Sequence, residues 1–262
     1  MAGAALLGRL TPLVWRLAEV LEIVPETSRA STLVLDVPDW PGHRAGQHVD
    51  VRLTAEDGYQ AQRSYSIASA PEDAALALTI ELLPDGEVSP YLVEEVRPGD
   101  RFELRGPIGG YFVWDAGTAG PLHLVAGGSG LVPLMAMLRH RAAAGGAAPT
   151  RLLYSARSLE DVLYREELER LAAEDGDLHV ALTLTRERPP EWTGYSRRVD
   201  EAMLGQVFGR RRVTRSPSFA APPGSSRPLR AVSSHSATTR AAFARSGSAR
   251  QEVDDGRRGP EA

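Results

Sequence analysis

The stretch Gln62-Arg63-Ser64-Tyr65-Ser66-Ile67-Ala68-Ser69 carries a dense run of polar chemistry. Alternation along a strand puts Arg63 and Tyr65 on one face and turns Ser66 to the other, with backbone groups still available. A forked guanidinium beside a phenol ring can hold a pyrophosphate and cover a flat aromatic ligand. The same residues also suit an edge strand with a surface Arg. Gly86-Glu87-Val88-Ser89 sets a glycine turn and a Ser cap where a helix begins, a ready anion site. Gly106-Pro107-Ile108-Gly109-Gly110-Tyr111-Phe112 is a glycine-rich turn ending in aromatics, where backbone can approach a flat ligand closely. In Val125-Ala126-Gly127-Gly128-Ser129-Gly130-Leu131-Val132-Pro133, glycines free backbone N–H groups to face a pyrophosphate at a helix start. Pro133 departs from the Gly-x-Gly-x-x-Gly dinucleotide fingerprint. Leu131 departs from a Gly-x-Ser-x-Gly nucleophile elbow, which removes a simple hydrolase of that type. A purely structural strand–helix turn would read the same way.

Two kinds of scaffold must position these residues. Over 11–115, short apolar runs (Leu33–Val37, Val49–Leu53, Leu76–Leu82, Arg101–Leu104) alternate with turns such as Pro41-Gly42, Asp57-Gly58 and Pro98-Gly99-Asp100. That pattern predicts an antiparallel barrel or sandwich, with one helix near Val88–Val96. From about residue 120, strands (Leu122–Ala126, Arg151–Ser155, His179–Thr185) alternate with helices (Leu134–Ala144, Glu160–Glu174), which predicts a parallel, doubly wound α/β domain reaching about residue 204. Arg198–Leu204 could begin another helix. Residues 205–262 are rich in Ser, Ala, Pro, Gly and Arg without a sustained apolar period, and are expected to be a disordered tail.

Composition narrows the classes. The chain has 262 residues, room for two small domains, and 42% hydrophobic residues, enough for real cores. The absence of Cys excludes disulfides, thiolate nucleophiles, cysteine-ligated zinc and iron–sulfur clusters; no metal ligand set is assigned. No apolar run reaches the roughly 18 residues of a membrane span. The opening MAGAALLGRL is too short, and broken too early by Arg9, for a signal peptide, so a cytoplasmic protein is expected. Residues 1–204 carry 19 Arg against 30 Asp and Glu, a net −11, whereas 205–262 carry 11 against 4, a net +7. Lys and Asn, both encoded by codons beginning AA, are missing, which implies a GC-rich gene.

Arg63-x-Tyr65-Ser66, Gly86-x-x-Ser89, Gly106-Pro107-x-Gly109-x-x-Phe112 and the Gly127–Pro133 turn, in that order, resemble the ferredoxin–NADP reductase family over about residues 11–204. The resemblance implies an antiparallel β-barrel binding FAD, followed by an NAD(P)-binding domain. By resemblance, Arg63 binds the FAD pyrophosphate, Tyr65 packs on the isoalloxazine, Ser66 bonds near flavin N5, and Gly86 and Ser89 serve a phosphate oxygen. Gly127, Gly128, Ser129, Gly130 and Pro133 correspond to the pyridine-nucleotide loop. Arg157, Tyr164 with Arg165, and Arg186 resemble the positions that select a 2′-phosphate and stack on adenine, favouring NADPH over NADH. The function implied is hydride transfer from NADPH to FAD, then electron delivery to a separate ferredoxin-like or other carrier. A nucleic-acid-binding arm is the rival reading of the basic tail, disfavoured by its lack of interleaved aromatics.

The resemblance breaks after Leu204. Family members continue with a strand ending in Cys-Gly-Pro, a helix and a last strand with a C-terminal aromatic, and this chain has none of these motifs. Residues from about 205 read as an out-of-frame translation: with GC-rich codons, a shifted reading of Ser218–Pro228 can give Val-Cys-Gly-Pro. A chain lacking those strands would leave Leu122–Ala126 as an unprotected edge. The alternative function is therefore a flavin-binding remnant without turnover.

Overall fold

The computed structural model describes residues 13–146 and 148–209. The expected tail and its shifted-frame reading therefore lie, from residue 210 onward, outside the described residues. The first domain is built from six strands, β1 (Trp15–Thr27), β2 (Ala30–Asp36), β3 (His48–Thr54), β4 (Gln60–Ser66), β5 (Leu76–Glu81) and β6 (Arg101–Ile108). They form one antiparallel sheet in the order β4-β3-β6-β1-β2-β5. An antiparallel bridge between Ile67 and Leu78, together with Ala68 N–H donating to Ala77 O at 2.8 Å, brings the two outer strands together and closes the barrel. Period-two alternation fills the interior: Val49 and Val51 of β3, Phe102 and Leu104 of β6, Leu33 and Leu35 of β2, Leu78 and Ile80 of β5. Val88, Leu92 and Val96 join the same core. The helix expected at Val88–Val96 shrinks to one five-residue turn, Tyr91–Glu95.

The second domain holds β7 (Leu122–Gly127), β8 (Thr150–Ala156) and β9 (Leu178–Leu184), parallel and in that order. Helix α1 (Val132–Ala143) lies between β7 and β8 in sequence, α2 (Arg165–Glu174) between β8 and β9, and α3 (Glu201–Phe208) follows. Helix α1 is apolar nearly all round, with Leu134, Met135, Ala136, Met137 and Leu138 all buried, the signature of a helix covered on every side. Its cluster runs on into Ala30, Ala45, Ala68 and Ala77 of the barrel, so the two domains share one continuous core. Small residues at those four places let the helix approach the barrel closely. Gly46, at φ +100, serves the same closeness: a Cβ there would stand 2.7 Å from Met137 Cε of α1 and 2.1 Å from Phe112 O.

Three elements differ from the sequence expectation. β1 is the longest strand but has no clean alternation, carrying Arg16, Glu19, Glu22 and Pro25; its register slips between Val20 and Glu22. α2 starts at Arg165 and not at Glu160, because Asp161 accepts from Ser158 N–H and hydroxyl in a turn and Tyr164 adopts a left-handed φ of 52°. α3 passes the boundary drawn at Leu204 and ends at Phe208. It is capped by the Asp200 carboxylate, which accepts from Met203 N–H at 2.7 Å, and is held by Met203 and Val207 against Leu153 of β8.

Burial pushes the Tyr154 phenol up to about 12 and the Tyr164 phenol higher still. A neutral phenol buried in the fold stabilises it fully below pH 10, the ordinary phenol range. That contribution is lost as pH rises towards 12, where unfolded phenols ionise and buried ones do not. Urea unfolding measured from pH 8 to 11.5 should show stability falling above pH 10, with a shallower fall in Tyr154→Phe.

Candidate functional site

β4 lies at the end of the sheet beside β3, where Arg63, opposite Val51 in the ladder, is exposed. Its Nη2 donates to Glu87 Oε2 at 2.7 Å, and Tyr59 donates its hydroxyl to Glu87 Oε1 at 2.8 Å. Those two donors hold the Glu87 carboxyl below its usual range. Glu87 occupies the anion position beside the guanidinium; its place inside the Gly86-x-x-Ser89 motif was the available signal, and the motif reading passed over it. Tyr65 is half-buried against the barrel core, and burial pushes its phenol up to about 12, so it is neutral at any working pH. Ser66 closes β4, half-buried.

Ser89 is placed where the motif requires, but its hydroxyl is already engaged. The Oγ accepts from Leu83 N–H at 3.0 Å and the residue is buried. Gly86 packs against that same turn: a Cβ would come within 3.0 Å of both Leu83 O and Ser89 Oγ. The pair thus shapes the loop, and a phosphate there would meet the turn's backbone, not a free hydroxyl. The glycine turn after β6 leaves Tyr111 and Phe112 exposed, and Gln47 donates to Gly109 O at 2.7 Å.

At the carboxyl ends of the parallel strands lies a second set. A cavity of about 330 Å³ is lined by Gly127, Gly128 and Ser129 after β7, Ser155, Ala156 and Arg157 after β8, and Thr185 after β9. Ligands of open α/β sheets bind at this end of the strands. Gly128 takes a φ of +52°, a conformation that disfavours any side chain, and Gly128–Leu131 makes one tight turn leading into α1. Gly130 is exposed beside them, and Pro133 sits in the first turn of α1, where its missing N–H costs nothing. Arg186 and Glu187 N–H groups both donate to Arg157 O, at 2.8 and 3.1 Å, so the loops bearing Arg157 and Arg186 are tied together. Arg29 and Glu81 of the barrel reach the same cavity, a contribution that no local motif announced.

Two assigned residues lie elsewhere. Tyr164 is 4% exposed and donates its hydroxyl to Thr79 of β5, deep in the joint between domains. Stacking on an adenine needs an open ring face, so Tyr164 is withdrawn from the nucleotide set. Arg165 follows it onto α2, where its Nε pairs with Glu169 at 3.0 Å. It lines a separate cleft of about 1040 Å³ between β1–β2 and α2, not the cavity of the nucleotide turn. The left-handed φ at Tyr164 reverses the direction that a continuous helix would have given both side chains.

Among the described residues, no group of His, Asp and Glu is placed to hold a metal ion. None of the helices is long and apolar enough to cross a membrane.

Comparison with known proteins agrees with this geometry. The family description "Oxidoreductase FAD-binding domain" matches residues 16–113, and "Oxidoreductase NAD-binding domain" matches 124–218. Methane monooxygenase component C of Methylosinus trichosporium is 35% identical over 170 residues, covering 65% of this chain and 48% of that protein. Ferredoxin–NADP reductase B of Sorangium cellulosum is 39% identical over 151 residues, covering 57% and 60%. The chain therefore spans about half the length of these curated relatives. Among solved structures, an Amycolatopsis cytochrome P450 reductase superposes with TM-score 0.66 at 27% identity over 78% of this chain and 62% of that one. A ferredoxin–NADP+ reductase from Neisseria gonorrhoeae, with FAD and NADP bound, shares the fold at TM-score 0.64 and 21% identity over 74% and 77%. An antiparallel FAD-binding barrel joined to a parallel nucleotide-binding sheet, with both family descriptions matched in order, places this chain in the ferredoxin–NADP reductase family of FAD-binding oxidoreductases.

Proposed function

We propose that this chain takes hydride from NADPH onto bound FAD and delivers electrons to a separate redox protein, ferredoxin or an oxygenase component. The observation that carries the reading is the shared cavity. The glycine turn of one domain and Arg29 and Glu81 of the other open onto a single space, so a nucleotide held by the turn lies against the flavin domain.

The residues present fit both groups. On the flavin side, Arg63 offers a guanidinium fork, Tyr65 a neutral ring and Gly109 a turn at φ +104 that leaves backbone open to a flat ligand. FAD, once bound, supplies hydride acceptance and release of electrons one or two at a time. The chain's own residues do the rest. Arg63 neutralises pyrophosphate charge, Tyr65 orients the ring system and keeps water from one side, and Ser66 holds a polar contact beside it. Gly127, Gly128 and Ser129 present N–H groups at the start of α1, where the helix dipole favours an anion. Arg157 and Arg186, with their loops tied together, supply the cations that distinguish a 2′-phosphate from a free hydroxyl. Relatives named as reductase components of monooxygenase and dioxygenase systems support a protein acceptor.

A second reading, a flavin-binding chain without turnover, has its own support. Among the described residues β7 pairs only with β8, and Val125 on it is 50% exposed.

Anaerobic titration of the FAD-loaded chain, followed by visible absorbance, separates the two. The reductase reading expects rapid bleaching by NADPH and slow bleaching by NADH. Flavin that neither nucleotide bleaches leaves the second reading. Arg157→Ala and Arg186→Ala should each raise KM for NADPH on the order of tenfold while leaving that for NADH unchanged.

A separate expectation concerns FAD itself. Because Glu87 places a carboxylate on Arg63, the FAD phosphates must displace or tolerate a like charge. Glu87→Gln should tighten FAD binding about fivefold at low salt, the effect fading as salt rises. Arg63→Ala should weaken it on the order of tenfold or more. Fluorescence quenching of FAD measures both, and an Arg63→Ala variant binding as tightly as the parent would remove Arg63 from the pyrophosphate site.

A further inference from the structure

Helix α1 starts where the nucleotide turn ends, and Arg139 sits seven residues along it, about two turns or roughly 10 Å from its first residue. Its guanidinium is largely enclosed and works in three directions. Nη1 donates to Ala68 O at 2.8 Å. Nε and Nη2 donate to the two carboxylate oxygens of Glu167 on α2, at 2.9 and 2.6 Å. The cation also stands 5.0 Å from the centre of the Tyr164 ring, whose hydroxyl donates to Thr79 on β5.

Ala68 is the informative partner. It lies two residues past Ser66, on the chain leaving the flavin-side strand. It is fully buried, and its N–H donates to Ala77 O at 2.8 Å in the barrel-closing seam. One residue is thus held by the barrel through its N–H and by α1 through its carbonyl. The next helix residue grips the same segment again: His140 Nδ1 lies 2.7 Å from Glu72 Oε1, and its Nε2 accepts from Ala116 N–H at 3.2 Å. Arg139 does not line the cavity of the nucleotide turn; it faces the separate cleft beside α2. Direct contact with the nucleotide is therefore not its role.

We propose that Arg139 is a positioning residue for hydride transfer. Through the Ala68 carbonyl it fixes the distance and angle between the nucleotide turn and the Arg63–Ser66 flavin strand. The proposal rests on the reductase reading above. Hydride transfer requires reacting atoms in near-attack contact, roughly 3–3.5 Å apart, and a displacement of about 1 Å can cost on the order of 100-fold in rate. A guanidinium fork can satisfy a carbonyl and a bidentate carboxylate at once, whereas an ammonium is a compact point charge without that geometry. Lys at this position keeps the charge and loses the alignment.

The test uses the full chain loaded with FAD and compares the parent with Arg139→Lys and Glu167→Gln. Three readouts are taken: FAD affinity, the single-turnover rate of flavin bleaching at saturating NADPH, and the long-wavelength charge-transfer absorbance of a nicotinamide stacked on flavin. Arg139→Lys should keep FAD affinity within about twofold, slow bleaching about 10- to 100-fold and weaken the charge-transfer band. Glu167→Gln, which leaves the Ala68 contact in place, should show the same pattern to a smaller degree. An Arg139→Lys chain with the parent's rate and band overturns the proposal. So does one whose FAD affinity and rate fall together, since that marks a role in folding alone. If the parent binds FAD but NADPH neither bleaches it nor gives the band, the reductase reading itself fails and takes this proposal with it.

Discussion

The backbone of one residue, Ala68, is bonded to both halves of the molecule. Its N–H closes the barrel onto β5 and its carbonyl receives the Arg139 fork from α1. Both groups are buried, and a buried backbone group left unpaired costs about 1–3 kcal/mol, so neither bond is dispensable once the seam has formed. The apolar packing around it follows the same logic. Ala45, Ala68 and Ala77 present small side chains to α1, which fills the gap with Leu134, Met135 and Met137. Tyr164 completes the joint. Its backbone N–H donates to Glu26 at 3.2 Å, and Thr32 joins Glu26 to Thr79 through bonds of 2.6 and 2.7 Å. No buried side-chain polar atom among the described residues lacks a partner. A fully satisfied polar network at the joint specifies one arrangement, because a slip breaks several of its bonds together.

That rigidity explains how weak local motifs add up to a site. The four glycine-rich or Arg–Tyr stretches come from β4, from the turn after β5, from the turn after β6 and from the end of β7. The barrel seam holds the flavin-side residues, α1 carries the nucleotide turn, and the joint sets one against the other. Charge is arranged with equal economy. Arg63 rests on Glu87 and Arg139 on Glu167, so each cation has a partner in the isolated chain. The first pair is half-exposed; the second is largely enclosed, and breaking it strands a charge.

The legible part of the sequence was the part written locally. Turn chemistry and period-two alternation locate β3 and β5 within a residue, while β2 starts three residues before its expected run and β6 ends four residues after; strand–helix alternation locates β7 to β9 within a residue. The Gly127–Pro133 turn is found where its glycines and its proline place it. β1 escaped because both its faces carry polar residues and a register slip breaks its alternation, so its assignment depends on neighbours on either side. Tyr164 was misplaced for a similar reason. Leu163-Tyr164-Arg165 falls inside the helix expected over Glu160–Glu174 and resembles a nucleotide-stacking segment, and only tertiary packing supplies the left-handed φ and the Thr79 bond that turn the ring inward. Arg139 had no local signal, since Ala68 lies 71 positions away, whereas Glu87 sits inside a visible motif but its pairing with Arg63 spans 24 positions.

The free side of β7 bears on how much the site depends on what lies beyond the sheet. Along the opposite edge, β9 is covered: Tyr195 pairs with it, and Thr183 donates its hydroxyl to Arg197 O. Among the described residues β7 forms one ladder, which runs in unbroken register from Leu122–Thr150 to Gly127–Ser155. Leu124 and Ala126 are buried in the core shared with α1, and His123 stacks at 4.8 Å on Phe208 at the end of α3. The last residue of the ladder is the first of the nucleotide turn. Its position is therefore held from the inner side, by β8 and by the helix that Arg139 ties to the barrel.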